Sequence, residues 1–128
     1  MKILSLVFVG LVMLEHVYIL VLEMFLWTSR GPKVFGITRK FAEETKTLAA
    51  NQGLYNGFLA AGLLWTFFIQ DKQWAFNIRV FFLLCVIVAG IYGGLTATKR
   101  IILVQATPAL IALAFLWLAK DQFLALAL

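Results

Sequence analysis

Residues 3–27 form an almost unbroken apolar run, and Glu15, His16 and Glu23 lie inside it. About 20 apolar residues, each rising about 1.5 Å along a helix, cross the roughly 30 Å hydrocarbon core of a bilayer. The run is therefore long enough to span one, and that constrains the fold more than any other feature. In lipid a spanning chain must satisfy its own backbone polar groups, which leaves helices and closed barrels. The alternation of apolar and polar residues that a barrel strand needs is absent. A charged side chain at such depth costs at least about 2.5–3.5 kcal/mol, so three ionisable groups in one run need partners, water or a function.

Three further runs follow, at 48–69, 78–97 and 101–118. The chain has 128 residues, of which 63% are hydrophobic and 13% charged, and a soluble domain of this size has too little interior to hide that much apolar surface. The expected fold is all-α: one transmembrane domain over residues 1–128, built as a four-helix bundle. Met1-Lys2 and the run behind it imitate a secretory signal. The run is too long for one, and Glu15-His16 stands where small residues would mark a cleavage site, so a retained first helix is expected.

Residues 28–47 carry Arg30, Lys33, Arg39, Lys40 and Lys46 with Glu43 and Glu44. Gly31-Pro32 is expected to break any continuing helix here, and Thr38 to cap a new one that runs into the second span. Lys99-Arg100 leaves almost no loop between the third and fourth spans, which implies a tight antiparallel hairpin. Seven basic residues fall on the side of these two connections, and four (Lys2, Lys72, Arg79 and Lys120) on the other. The positive-inside rule then places both termini on the non-cytoplasmic face. It also accounts for the net charge of +5 without nucleic acid, because no basic stripe interleaves with aromatics on a soluble face. Trp27, Trp65, Trp74 and Trp117 fall near span ends, as interfacial anchors do.

At about 100° per residue, His16 and Glu23 share one face of the first helix, roughly 10 Å apart along it, while Glu15 points elsewhere. Asn51, Gln52, Tyr55, Asn56 and Thr66 share a sector of the second span, Tyr92 and Thr96 a stripe on the third with Cys85, and Gln105 precedes Pro108 on the fourth. Carboxamides and a phenol suit buried carboxylates and imidazoles, because they donate and accept without charge. The expected site is a polar pocket toward the cytoplasmic side, formed by His16, Glu23, Asn51, Gln52, Tyr55, Asn56, Tyr92, Thr96 and Gln105. Interhelical glue is the alternative for the carboxamides. Rows of small residues, Gly53 with Gly57 and Gly90 with Gly94, are expected to let helices approach closely. Cys85 is the only cysteine and reads as an apolar packer. One histidine without a ligand-spaced partner points to no metal, and no cofactor is assigned.

Asn51-Gln-Gly-Leu-Tyr-Asn-Gly-Phe-Leu-Ala60 resembles a small bacterial membrane family, domain of unknown function 1304. His16, Glu23-Met-Phe-Leu-Trp27, Ala89-Gly-Ile-Tyr-Gly93 with Thr96, and Gln105 with Pro108-Ala109 carry the rest of the resemblance. It implies a four-helix protein of the bacterial inner (cytoplasmic) membrane and supplies no reaction. The residues themselves suggest a pocket that binds or transports a small solute or ion, or a lipid-like ligand. An acidic group in the first of four short spans resembles the arrangement of small multidrug-resistance transporters. The alternatives are a membrane-embedded enzyme with a cytoplasm-facing site, and an accessory subunit of a membrane complex. The lipid bilayer is the expected partner, and the small-residue rows make a homo-oligomer the expected state.

Overall fold

Lys2–Phe25 is one uninterrupted helix, α1, in the computed structural model, which describes residues 1–125. Its sequence contains no proline; a narrow stripe of Ser5, Val9, Val12 and His16 faces inward, and Leu22 is buried on a different side near the helix end. The opposite face is apolar and exposed, with Ile3 77% and Phe25 70% accessible. A helix at the surface of a soluble protein shows the reverse, a polar outer face. The chain continues through α2 (Trp27–Phe35), α3 (Arg39–Trp65) and α4 (Lys72–Thr96), then a π-helical turn (Ile102–Ala106), α5 (Thr107–Leu118) and the short α6 (Lys120–Leu124). Among the described residues there is no β-strand. Helices α1 and α4 are long and apolar enough to cross a membrane, and only 22% and 33% of their most apolar stretches are buried. So much outward apolar surface points toward membrane association.

Two starts and one stop are set by local chemistry. The Thr38 hydroxyl accepts the Phe41 N–H at 3.1 Å and opens α3, as its sequence position predicts. The Asp71 carboxylate accepts the Trp74 N–H at 2.8 Å and opens α4. Gly36, at φ 67°, closes α2 in the left-handed region. Gly31-Pro32 does not break the helix as expected; both lie inside α2, and the break falls earlier, at Leu26 (φ −118°, ψ 10°). Pro32 removes one donor, that to the Thr28 carbonyl, while the Trp27 ring packs on Gly31 and the helix ends only at Gly36. The expected helical hairpin at Lys99-Arg100 is present. There the Gly93 carbonyl accepts from both Ala97 and Thr98, and Ile101 N–H returns to Thr98.

Helix α1 packs on α3 and α5, and α4 packs on α5, the π-turn and α3. The rings of Phe8 and Phe115 stack at 5.3 Å between α1 and α5. A shared core of Val9, Val12, Leu63, Leu83, Val86, Ala109, Ala112 and Leu116 lies between these helices. At one end Arg79 is almost fully buried, its Nε donating to the Thr66 hydroxyl (3.0 Å) and its Nη2 to the Thr66 carbonyl (2.9 Å). That carbonyl lies at the C-terminus of α3, where a helix leaves acceptors without N–H partners and where positive charge is favoured. The guanidinium and the Lys2 ammonium both lie over the Phe123 ring of α6, at 5.5 and 5.2 Å, and Lys2 N–H donates to Gln122 at 3.0 Å.

Ahead of Pro108 the fifth segment widens. The Thr107 N–H and hydroxyl both donate to the Ile102 carbonyl, and Pro108 offers no N–H to Val104 one turn back. Gly90 lies against this segment: a Cβ there would come 2.7 Å from the Ala106 nitrogen, so the two backbones touch. Gly90→Ala is therefore expected to destabilise the fold by about 1–3 kcal/mol. Gly10→Ala, where a Cβ meets nothing within 4 Å, is expected to be neutral or stabilising by up to about 1 kcal/mol. Reversible unfolding of the two variants in detergent, followed by circular dichroism, measures the contrast.

Candidate functional site

Glu23 sits near the end of α1, half-buried, where α3 comes closest. The approach is possible because residue 53 is glycine: a Cβ there would lie 2.7 Å from Met24 Cγ and 3.1 Å from the Leu20 carbonyl oxygen. One turn further along α3, Asn56 Nδ2 donates both to Glu23 Oε2 at 3.0 Å and to the Gln52 carbonyl at 3.1 Å. The bond to its own helix holds the amide in place, and the bond to the carboxylate crosses between helices. A hydrogen bond to a charged group is worth about 1.5–3 kcal/mol, more than a neutral one.

Beside this pair a groove of about 330 Å³ opens between the α1–α2 bend and α3, lined by Glu23, Met24, Trp27, Thr28, Lys46 and Thr47 among others. Its polar frame is fixed from both sides. Trp27 Nε1 donates to the Thr45 hydroxyl at 3.1 Å, which in turn donates to the Phe41 carbonyl at 2.7 Å. Lys46 Nζ lies 3.4 Å from Glu43 Oε2. The groove can offer a solute a carboxylate, an ammonium, a hydroxyl and an indole face.

The remaining residues expected at the site lie elsewhere. His16 is 1% exposed, with Nδ1 2.8 Å from the Val12 carbonyl of its own helix. A carbonyl only accepts, so Nδ1 carries the hydrogen. Asn51 and Gln52 are exposed, and so is Tyr55, whose ring meets Phe58 edge-on at 6.0 Å. Tyr92 is 69% exposed, and its carbonyl accepts the exposed Thr96 hydroxyl at 2.8 Å. Gln105 is half-buried within the π-turn. The structure thus brings Glu23, Asn56 and the Gln52 backbone together, and leaves Asn51, Tyr55, Tyr92 and Thr96 facing outward. Glu15 Oε1 and Ser5 Oγ are buried without a hydrogen-bond partner among the described residues. Among those residues no group of three or more His, Cys, Asp or Glu could hold a metal ion.

Sequence reasoning missed Trp27, Thr28, Lys46 and Thr47 as lining residues because it read 28–47 as a connection rather than as α2 and the start of α3. A signal was present: Trp27 lies four residues, about one helical turn, after Glu23. Arg79, read only as one of the four basic residues opposite the two connections, is instead a buried tie between helices.

Over its described residues the chain is helical, with two helices long and apolar enough to cross a membrane and a carboxylate–amide pair at a helix contact. It belongs to the family described as protein of unknown function DUF1304, whose model matches residues 10–117. An uncharacterised protein of Lactococcus lactis subsp. lactis (strain IL1403), YpaA, is 37% identical over 116 residues, which cover 88% of this chain and 96% of that protein. No solved structure matches the chain.

The Asn56–Glu23 bond makes a measurable coupling. Asn56→Leu leaves a half-buried carboxylate without its donor and is expected to cost about 1–3 kcal/mol. In the Glu23→Gln background the same change is expected to cost less, with a coupling of at least about 0.5 kcal/mol in a double-mutant cycle of unfolding free energies.

Proposed function

We propose that this chain is a four-span membrane protein that binds a small solute or ion at the Glu23 groove and carries it across the bilayer. The observation that carries this reading is the Glu23 carboxylate, held by Asn56 at a helix contact and lining a groove with Trp27 and Lys46. Glu23 is the charged recognition group, and the Trp27 face suits the apolar or cationic part of a solute. Asn56 positions the carboxylate, and His16 lies behind it on the same helix. Helices α1 and α4, the apolar second half of α3 and the π-turn with α5 serve as the spans. The seven-to-four distribution of basic residues supports non-cytoplasmic termini and a groove near the cytoplasmic face. The outward-facing Asn51, Tyr55, Tyr92 and Thr96 favour a second copy of the chain as their neighbour, since polar groups in a membrane are rarely turned toward lipid.

Two measurements test this. In a Cys85→Ser background, Lys40→Cys and Lys99→Cys are expected to react with an impermeant maleimide from the cytoplasmic side, and Gln73→Cys from the outside. If only α1 and α4 cross, residues 40 and 73 share a side and 99 takes the other. With the chain in liposomes, and a carboxylate that exchanges its proton for a cation, a trapped pH-sensitive dye is expected to report proton movement when small organic cations are added. That signal is expected to vanish in Glu23→Gln and to persist in Glu15→Gln. Equal flux in Glu23→Gln and the unaltered chain removes the carrier reading.

A further inference from the structure

A second groove, unrelated to Glu23, runs between α4 and α5 and is lined by Val80, Leu84, Leu110, Leu113, Ala114 and Trp117. It measures about 370 Å³, and no polar side chain other than the Trp117 indole takes part in its lining. From Leu110 to Trp117 the helix rises about 10 Å, and Lys120 follows just past the end of α5 at Leu118. That wall covers most of the roughly 15 Å hydrocarbon depth of a single leaflet, with the cation at its end. At the mouth, Lys120 Nζ lies 5.1 Å from the Trp117 ring and 6.0 Å from the Phe76 ring. Among the described residues no carboxylate lies within ion-pair distance of it; the pairs present are Lys40–Glu44 and Lys46–Glu43.

We propose that this groove binds an anionic phospholipid, with one acyl chain along α4 and α5 and the phosphate against Lys120. Charge decides the occupant. An ammonium held over two aromatic rings at the polar end of an apolar trough complements a chain that ends in a phosphate. A zwitterionic headgroup brings its own cation to the same place and gains less. Arg79, next to Val80 in sequence, is turned the other way and engaged by Thr66, so Lys120 is the cation that meets the ligand. The inference rests on the membrane-spanning reading above but involves none of the residues of the Glu23 groove.

The test is native mass spectrometry of the full chain released from nanodiscs containing equal amounts of phosphatidylglycerol and phosphatidylcholine. Retained phosphatidylglycerol is expected to exceed phosphatidylcholine by about fivefold, the worth of one lysine near an anionic surface. Lys120→Gln is expected to bring the two lipids to parity, and Lys120→Arg to keep the preference. Ala114→Trp fills the trough and is expected to reduce retention of both lipids; Leu110→Trp does the same nearer mid-depth if the first variant loses its helical circular dichroism. Excess inorganic phosphate is expected to displace nothing. Equal retention by the unaltered chain, an undiminished preference in Lys120→Gln, full retention in both tryptophan variants, or displacement by phosphate alone overturns the proposal. A chain that does not span a bilayer leaves the membrane in an alkaline wash before any lipid is counted. That result is distinct from equal lipid retention by an embedded chain.

Discussion

Backbone contact between helices sets the dimensions of this fold. At Gly53 the α3 main chain lies against the Leu20 carbonyl and the base of Met24, and at Gly90 the α4 main chain meets the Ala106 nitrogen. Where the surroundings are as apolar as the side chains, burial gives helices little reason to prefer each other to their environment, and close packing has to supply that preference. The two contacts fix who neighbours whom: α1 with α3, and α4 with the π-turn. Alanines at 106, 109 and 112, all fully buried, extend the second contact into the core. The Asn56–Glu23 bond exists because the first contact brings the two helices within side-chain reach.

The far end of the molecule is held by a different kind of force. Arg79 neutralises the end of α3 by donating to Thr66, and its cation shares the Phe123 ring with Lys2. Removing a charged group from water is costly, and here a carbonyl, a hydroxyl and two aromatic faces replace the lost solvent without a carboxylate. The short α6 is thereby tied to α1 and α4 at once. A contact-built end next to the candidate pocket and a polar, ring-clamped end opposite it divide the molecule by chemistry as well as by position.

The helices were legible in the sequence because their lengths are set by apolar runs: residues 3–27 became Lys2–Phe25, and Thr38 capped the next helix as its position implied. The bend at Leu26 was not legible, because Gly31-Pro32 is the stronger local breaker and only the packing of Trp27 on Gly31 keeps that turn helical. The site was legible in part. Periodicity placed Asn51, Gln52, Tyr55 and Asn56 in one sector, but the rotation of a helix cannot be read from polarity when both its faces are largely apolar. Asn51 and Tyr55 turned out, Asn56 turned in, and the deciding residue was Gly53, whose contact with α1 sets the rotation. His16 and Glu23 share a face as the arithmetic required, yet each found its hydrogen bond independently.

The π-turn at Ile102–Ala106 holds one more residue per turn than the helix that follows it. It therefore acts as a phase adjuster: side chains before it are rotated by about 100° relative to where an unbroken helix would place them. That rotation sets Ile101 and Ile102 against Gly93 and Gly94 while Ala109, Ala112 and Leu116 face the core beyond Pro108. The two ends of this segment answer to different neighbours, and the extra residue reconciles them. A relative lacking that residue would have to choose one neighbour or the other, so chain length between the hairpin and Pro108 is as much a part of the fold as any side chain in it.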